Sequence, residues 1–245
     1  MAAMDADPAE TRRAEIRQMF ASIVHRYDFL NRLLSLRRDV YWRRMAVSLG
    51  QIPPRGRVLD LCAGTADVAL EVVRQVSGAL VVAVDNCEPM LDRGLQKAQR
   101  TGVAGLVRFV VAPAECLPLA DETFDRAYIA FGIRNIADRR RGLEEMARVL
   151  KPGGQAVILE FSTPSSPLFR PLYGFYSHRI LPSIGGLLSG NRAAYEYLPT
   201  SVDGFPSPEG LQALMEETGF SHVSYLPLTF GIVTIHQGKK TAHRG

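Results

Sequence analysis

The stretch Arg57 to Asp67, RVLDLCAGTAD, decides the fold. Val58, Leu59 and Leu61 make a short apolar strand, Gly64 and Thr65 a small-residue turn, and Asp67 stands where an apolar helix begins. A strand that feeds such a turn into a helix brings backbone N–H groups close to a ligand, because no bulky side chain blocks the approach. A nucleotide-like cofactor is therefore expected at this turn. The dinucleotide spacing G-x-G-x-x-G is not met, since the corresponding positions are Cys62, Gly64 and Asp67 and only one is glycine.

Charge then selects the ligand. Asp60 inside the strand and Asp67 after the turn would repel a pyrophosphate at close range and suit a cationic end, an ammonium beside a sulfonium centre. S-adenosylmethionine is the expected cofactor, in preference to NAD. Further along, the run Leu80 to Val84 is continuous and β-branched, as in a parallel strand buried on both faces. It ends at Asp85, 25 residues after Asp60, where a carboxylate can accept both ribose hydroxyls of an adenosine. Asn86 follows and opens a helix reaching about Arg100, with Pro89 tolerated in its first turn. The plainer alternative for Asp67 and Asp85 is a helix cap.

Phe109–Val111, Phe124–Phe131 and Ala156–Phe161 read as further strands, with a helix closing at Met146 to Leu150 and a turn at Lys151–Gly154. Strands alternating with helices at this spacing predict a doubly wound, Rossmann-like α/β sheet in a single domain, its cofactor-binding core spanning residues 51–167. Residues 1–50 form a helical cap: Ile16, Phe20, Ile23, Tyr27, Leu30 and Leu34 make one stripe of a helix over Thr11–Leu36, and a second helix covers Val40–Leu49. Within residues 168–205, the stretch Leu168–Gly190 is apolar but irregular. It is expected to be either a lid over a greasy substrate, with Pro171, Pro182 and Gly185-Gly186 breaking any long helix, or a pair of packed helices without a special role. In residues 206–245, a helix over Pro208–Thr218 leads to strands His222–Leu226 and Phe230–His236, joined at Pro227–Thr229 as an antiparallel hairpin. The tail KKTAHRG is expected to fray.

With 245 residues and 47% hydrophobic content the chain can bury one sizeable core. Its net charge of +4, from 29 basic and 25 acidic residues, forms no long basic run, so nucleic acid is not an expected partner. Arg37-Arg38, Arg43-Arg44 and Arg139 to Arg141 suit either an anionic membrane surface or ordinary solvated helix faces. Peripheral contact with the inner face of a membrane is expected on the first of these readings, and a homodimer is a further expected partner. The cysteines at 62, 87 and 116 are too widely spaced for a zinc pattern and too few for a disulfide framework, so no metal is expected. The start MAAMDADPAE lacks an apolar signal core and no run approaches the length of a bilayer span, which favours the cytoplasm.

These segments resemble the ubiquinone/menaquinone biosynthesis C-methyltransferase family, of the class I methyltransferases. The resemblance is carried by RYDFLNRLLSL with Trp42, VLDLCAGTAD, VDNCEPML, AECLPLADETFD, FGIRNIAD, EMARVLKPGG with LEFS, YEYLPTSVDGFP and LTFGIVTIH, nearly the whole chain after its first ten residues. It implies a seven-stranded sheet whose last strand is antiparallel, and methyl transfer to a ring carbon of a prenylated quinol. Demethylmenaquinol comes first and a ubiquinone precursor second. It implies cofactor roles for Thr65, Asp85, Ala114 and Ala130, beside Asp60, Gly64 and Asn86 around the turn. Tyr27, Asn31, Phe175 and Tyr176 are expected to face the substrate. Carbon attack needs an ionised or nearly ionised ring hydroxyl, and Arg134 is the expected stabiliser, with Asn135 orienting it or bonding the second oxygen. Tyr27, His178 and a water stay open as the base. The chain departs from the family at Pro113, usually Asn or Asp, at Ala130, often Ser, and at Arg37 and Asp39, usually Gly and His. Two other readings therefore stay open, a small-molecule methyltransferase of another type and a cofactor-binding partner protein without catalysis.

Overall fold

A computed structural model describes residues 8–164, 169–189 and 191–241. Two helices, α1 (Pro8–Leu34) and α2 (Arg38–Leu49), precede an alternation of β1 (Arg57–Leu61), α3 (Asp67–Gln75), β2 (Leu80–Asp85), α4 (Glu88–Arg100), β3 (Val107–Val111), β4 (Phe124–Ala130), α5 (Arg139–Val149) and β5 (Leu150–Phe161). Then come α6 (Phe169–Phe175), α7 (Leu181–Ser189), α8 (Arg192–Asp203), α9 (Pro208–Glu217), β6 (Phe220–Leu228) and β7 (Val233–Lys240). The strands form one seven-stranded sheet in the order β3-β2-β1-β4-β5-β7-β6, with β7 antiparallel to both neighbours. This is the doubly wound sheet that the alternation of strands and helices predicts, with the antiparallel last strand that the resemblance implies.

The strand order reverses between β1 and β4. The connections leaving their carboxyl ends run in opposite directions and open a crevice there. Both faces of the sheet are covered, as its near-continuous apolar strands require. Leu59, Ile129 and Ile158 pack with Leu143 and Met146 of α5 and Met215 of α9 on one face. Val58, Val81 and Val157 pack with Ala46 of α2 and Val72 of α3 on the other. Each such aliphatic side chain contributes about 1.5–3 kcal/mol when fully buried. A smaller cluster joins Ile23 and Leu30 of α1 to Leu181, Ala194 and Tyr195 of α7 and α8.

Four expectations need correction. The insertion is not broken by its prolines: α6 passes through one π-helical turn, Tyr176–Ile180, into α7, with helical backbone at Phe175 (φ −61, ψ −45) and Leu181 (φ −60, ψ −48). Pro171 falls in the first turn of α6, where an N–H has no helical partner, and Pro182 follows the π turn, where the hydrogen-bond register changes. Gly185 serves contact between helices, since a Cβ there would lie 2.3 Å from the Tyr195 ring. Leu168 and Gly190, the expected ends of the insertion, lie outside the described residues.

Lys151–Gly154 is not a turn before a strand but a bulge within β5. Its pairing with β4 jumps from Phe124 opposite Leu150 to Arg126 opposite Gln155, and Gly153 has φ +73. Pro227 lies within β6 rather than in the hairpin connection, which is 229–232; β6 is an edge strand, where a missing N–H is tolerated. Lys239 and Lys240 are not frayed. They belong to β7, and Lys240 Nζ donates to the Leu150 carbonyl at 2.7 Å. Residues 242–245 of the expected tail lie outside the described residues.

Candidate active site

The crevice at the ends of β1, β2 and β4 is lined by Asp60, Gly64, Thr65, Asp85, Asn86, Ala114 and Ala130, together with Tyr27 and Asn135. The turn after β1 is tight. Cys62, Gly64 and Ala66 all take left-handed backbone (φ 57, 53 and 61), and nothing lies closer than 3.9 Å to where a Gly64 Cβ would stand. Asp85 ties this turn to the next: the Gly64 N–H donates to its Oδ2 and the Cys87 N–H to its Oδ1, both at 2.8 Å. A carboxylate with one bond at each oxygen keeps lone pairs for further donors. Burial pushes the Asp85 carboxyl up, and the bonds from Cys87, Gly64 and Asn86 backbone restrain it.

Asp60 is almost fully buried and accepts the Ala69 N–H at 2.9 Å. Burial pushes its carboxyl up to about 7, against the pull of that bond and of Arg43. A cationic ligand would draw it to the ionised form. Asp67 behaves differently. Burial works to raise it, but Arg43 and Lys97 hold it below the ordinary carboxylate value, through a short Lys97 contact and approaches of 3.9 Å from Arg43 and 3.7 Å from Arg32. Its charge is satisfied within the protein, so of the two acids that selected a cationic ligand only Asp60 presents an uncompensated carboxyl. The donor set suits S-adenosylmethionine: Asp85 for hydroxyls, Asp60 for a cationic end, and Met90, Ala112, Ala114 and Ile136 as apolar walls for a flat base.

Thr65 and α1 are coupled. The Thr65 hydroxyl donates to Asp28 Oδ1 at 2.6 Å, and Lys97 reaches both Asp28 Oδ2 (3.0 Å) and Thr65 Oγ1 (3.1 Å). Sequence reasoning missed Asp28 and Lys97 as parts of this site. Asp28 had a signal, an acid in YDFLN beside an apolar stripe, whereas Lys97 had none.

Beside the crevice lies an apolar cavity of about 780 Å³ between α1, α2 and the helices α6 to α8. Tyr27, Asn31, Phe175, Tyr176 and Arg134 line it, and it shares Phe20, Tyr27, Arg43 and Phe131 with the crevice. Trp42, Phe131 and Phe161 form an aromatic group on its wall, with 4.6 Å between the centroids of Phe131 and Phe161, and Trp42 Nε1 donates to Thr229 Oγ1 at 2.8 Å.

Arg134 is buried at 6% exposure, not a surface charge. Its Nη1 contacts Glu160 Oε1 at 2.6 Å and the Phe131 carbonyl at 2.7 Å, its Nε donates to Ser201 Oγ at 3.3 Å, and its guanidinium lies 5.4 Å from the Phe161 ring centroid. The group orienting Arg134 is thus Glu160. Asn135, expected in that role, faces the crevice, where its Oδ1 accepts the Tyr197 hydroxyl at 2.9 Å. Of the candidate bases, His178 is exposed, lies 3.0 Å from Asp203 and is not part of the cavity wall. Tyr27 is on the wall, but burial raises its phenol despite Arg43 and Arg134 nearby, which keeps it protonated at neutral pH. Of the two departures near Trp42, Asp39 lines the cavity and is buried against Arg43 at 2.7 Å and Ser35 at 2.7 Å, and Arg37 takes left-handed backbone, φ 62, between α1 and α2.

Among solved structures, the fold is similar to a possible histamine N-methyltransferase from Thermotoga maritima (TM-score 0.64, 22% identity, 91% of this chain and 99% of that one). It is also similar to a SAM-dependent methyltransferase from Aquifex aeolicus (TM-score 0.58, 17% identity, 81% and 89%). Sequence similarity is closer. The chain is 53% identical over 226 residues to the ubiquinone/menaquinone biosynthesis C-methyltransferase UbiE of Geobacter sulfurreducens, covering 92% of this chain and 88% of that one. It is 49% identical over 222 residues to the demethylmenaquinone methyltransferase of Thermus thermophilus, covering 91% and 100%. The profile of one family matches residues 8–240, and this chain belongs to it: the ubiE/COQ5 methyltransferase family.

Proposed function

We propose that this chain, an S-adenosylmethionine-dependent C-methyltransferase by family, methylates a ring carbon of a prenylated quinol, converting demethylmenaquinol to menaquinol. The observation that carries the reading is the wall shared by the crevice and the large apolar cavity, with a buried guanidinium beside it. The cofactor, when bound, supplies an electrophilic methyl group. Asp85 would accept ribose hydroxyls and Asp60 would face the cationic end, while Gly64, Thr65, Asn86, Ala114 and Ala130 shape the walls.

On the cavity side the ring carbon must be electron-rich, so the adjacent hydroxyl must give up its proton or nearly so. Arg134 stabilises the oxygen that becomes anionic, and Glu160 holds the guanidinium so that little reorganisation is needed. Tyr27, kept protonated by its burial, donates to a ring oxygen and does not act as the base. Phe131 and Phe161 exclude water from the ring, and Asn31, Phe175 and Tyr176 border the volume left for the isoprenoid tail. Such a tail partitions into lipid, so we assign the working position to the cytoplasmic face of a membrane.

A second reading, C-methylation of a ubiquinone precursor, is favoured by the name of the Geobacter relative, which includes both quinones. Mass spectrometry of quinones from cells with and without the protein separates the two. Accumulation of demethylmenaquinone supports the first, accumulation of a ubiquinone precursor the second, and an unchanged quinone pool removes both.

A further inference from the structure

Five cavity-lining side chains, Leu33, Leu36, Leu172, Phe175 and Ile184, are also exposed to solvent, so the cavity opens where they stand. Two helical stripes extend this mouth outward. Phe29 and Leu33 stand one turn apart at the end of α1, with Leu36 in the turn that follows, and Ile180, Ile184 and Leu187 recur at i, i+4 and i+7 from the π turn into α7. Leu36 is 84% exposed and Leu187 85%. Soluble monomers rarely leave so contiguous an apolar surface without a partner.

The two segments that carry these side chains are themselves basic, while Glu196 and Asp203 of the neighbouring α8 are paired with Arg192 and His178. Between residues 29 and 45 the sole acid is Asp39, buried against Arg43, and residues 168–195 contain no acid. Arg37, Arg38, Arg170 and Arg179 are exposed on these two segments with no ion-pair partner among the described residues. Members of the other basic clusters are paired: Arg44 lies 3.8 Å from Glu71, Arg140 contacts Glu217, and Arg141 lies 3.5 Å from Glu144. Four exposed arginines without an ion-pair partner among the described residues therefore stand beside the apolar mouth. Two copies of this face would repel each other, whereas an anionic lipid surface meets both its charge and its apolar side chains.

We propose that the mouth of the cavity is a docking face for an anionic bilayer, from which the quinol enters without its tail crossing water. The identity of the guest rests on the function proposed above; the docking face does not. The test uses the full chain with vesicles of phosphatidylcholine alone or with one quarter phosphatidylglycerol. Two double variants avoid the cavity wall: Phe29→Glu with Leu187→Glu, and Arg37→Glu with Arg179→Glu. The parent should bind the anionic vesicles, less so at high salt, and each double variant should bind about tenfold more weakly or worse. Both variants should keep the parental unfolding midpoint, cofactor affinity and turnover of a short-tailed quinol in solution, and lose turnover of a quinol embedded in vesicles.

Undiminished binding by either variant, or equal binding to neutral vesicles, overturns the proposal. So does a parent dimer that the same substitutions dissociate, since a second copy would then cover the face. Vesicle binding lost in both variants, in a protein that methylates no quinol, keeps the docking face and removes the reaction. Methylation of a short-tailed quinol by a parent that ignores vesicles does the reverse.

Discussion

Arg134 and Glu160 are joined by a buried ion pair at 2.6 Å, and the second oxygen of Glu160 accepts the backbone N–H of Arg134 at 3.4 Å. The pair links the turn after β4 to the end of β5, which is why the FGIRN and LEFS segments belong to one site. A buried guanidinium and a buried carboxylate each need the other, because removing one leaves an uncompensated charge.

Arg134→Ala should therefore lose stability as well as turnover, by roughly 3–5 kcal/mol, since Glu160 is left buried and unpaired. Arg134→Met with Glu160→Gln should recover most of that stability in a urea titration. Turnover should stay down by roughly a hundredfold or more, the cost of one anion-stabilising donor. A stable double variant with near-parental turnover would confine Arg134 to holding the fold.

Asp60 ties stability and cofactor binding to pH in opposite directions. Its carboxyl rises from the ordinary 3.8 to about 7 on folding, so the folded state holds the proton more tightly. The stability it contributes is full below about pH 4 and lost as pH rises through about 7. Asp60→Asn keeps an acceptor for the Ala69 N–H, and its unfolding midpoint should vary less than the parent's across this window. Cofactor affinity should rise with pH as the anion becomes available, with proton release detectable by calorimetry in two buffers. Equal parental affinity at about pH 6 and about pH 8 would separate Asp60 from the cationic end.

Asp85→Ala removes an acceptor for the ligand and the anchor of Gly64 and Cys87. S-adenosylmethionine should bind about 1.5–3 kcal/mol more weakly, the scale of hydrogen bonds to a charged group. NAD should not bind the parent. Unchanged cofactor affinity in the folded variant, or tight NAD binding, counts against the assignment.

Arg37 spends its side chain at φ 62, where left-handed backbone costs an L-residue about 1–2 kcal/mol. Glycine relieves that strain but loses about 0.5–1 kcal/mol through chain entropy. Arg37→Gly should thus gain about 0.5–1 kcal/mol, read as a higher urea midpoint at constant slope. A lower midpoint would mean that the guanidinium makes a stabilising contact outweighing the strain.

The parts legible from sequence are those that periodicity and turn chemistry govern. Val58 to Leu61 and Leu80 to Val84 announce buried parallel strands, and Gly64 between Asp60 and Asp85 announces the crevice. Pairings distant in the chain carry no such local signal. Lys97 meets Asp28 across 69 positions, and Arg134 meets Glu160 across 26. The same gap explains Asp67, read as a bare charge because its partners Arg32, Arg43 and Lys97 come from three helices. Proline misled for a local reason, because the π turn before Pro182 moves the register that proline would have broken.

Some apolar residues of the cavity wall also hold the helical cover together, and others face the cavity alone. Leu181 packs in the cluster with Ile23, Leu30, Ala194 and Tyr195, so replacing it with serine would damage the helical cover itself. Leu172 and Ile184 line the cavity while remaining substantially exposed, so Leu172→Ser with Ile184→Ser is the cleaner variant. Each buried methylene contributes about 0.8 kcal/mol at best, so contact with one isoprene unit is expected to contribute a few kcal/mol before ordering costs. The Michaelis constant for a long-tailed quinol should rise about tenfold or more, while a tailless quinol should hardly change. Cofactor affinity and the unfolding midpoint serve as controls. Equal losses for both acceptors would mean that these residues support the ring pocket, and that the tail runs instead along Met19, Ile23 and Leu34 of α1, which border the same cavity.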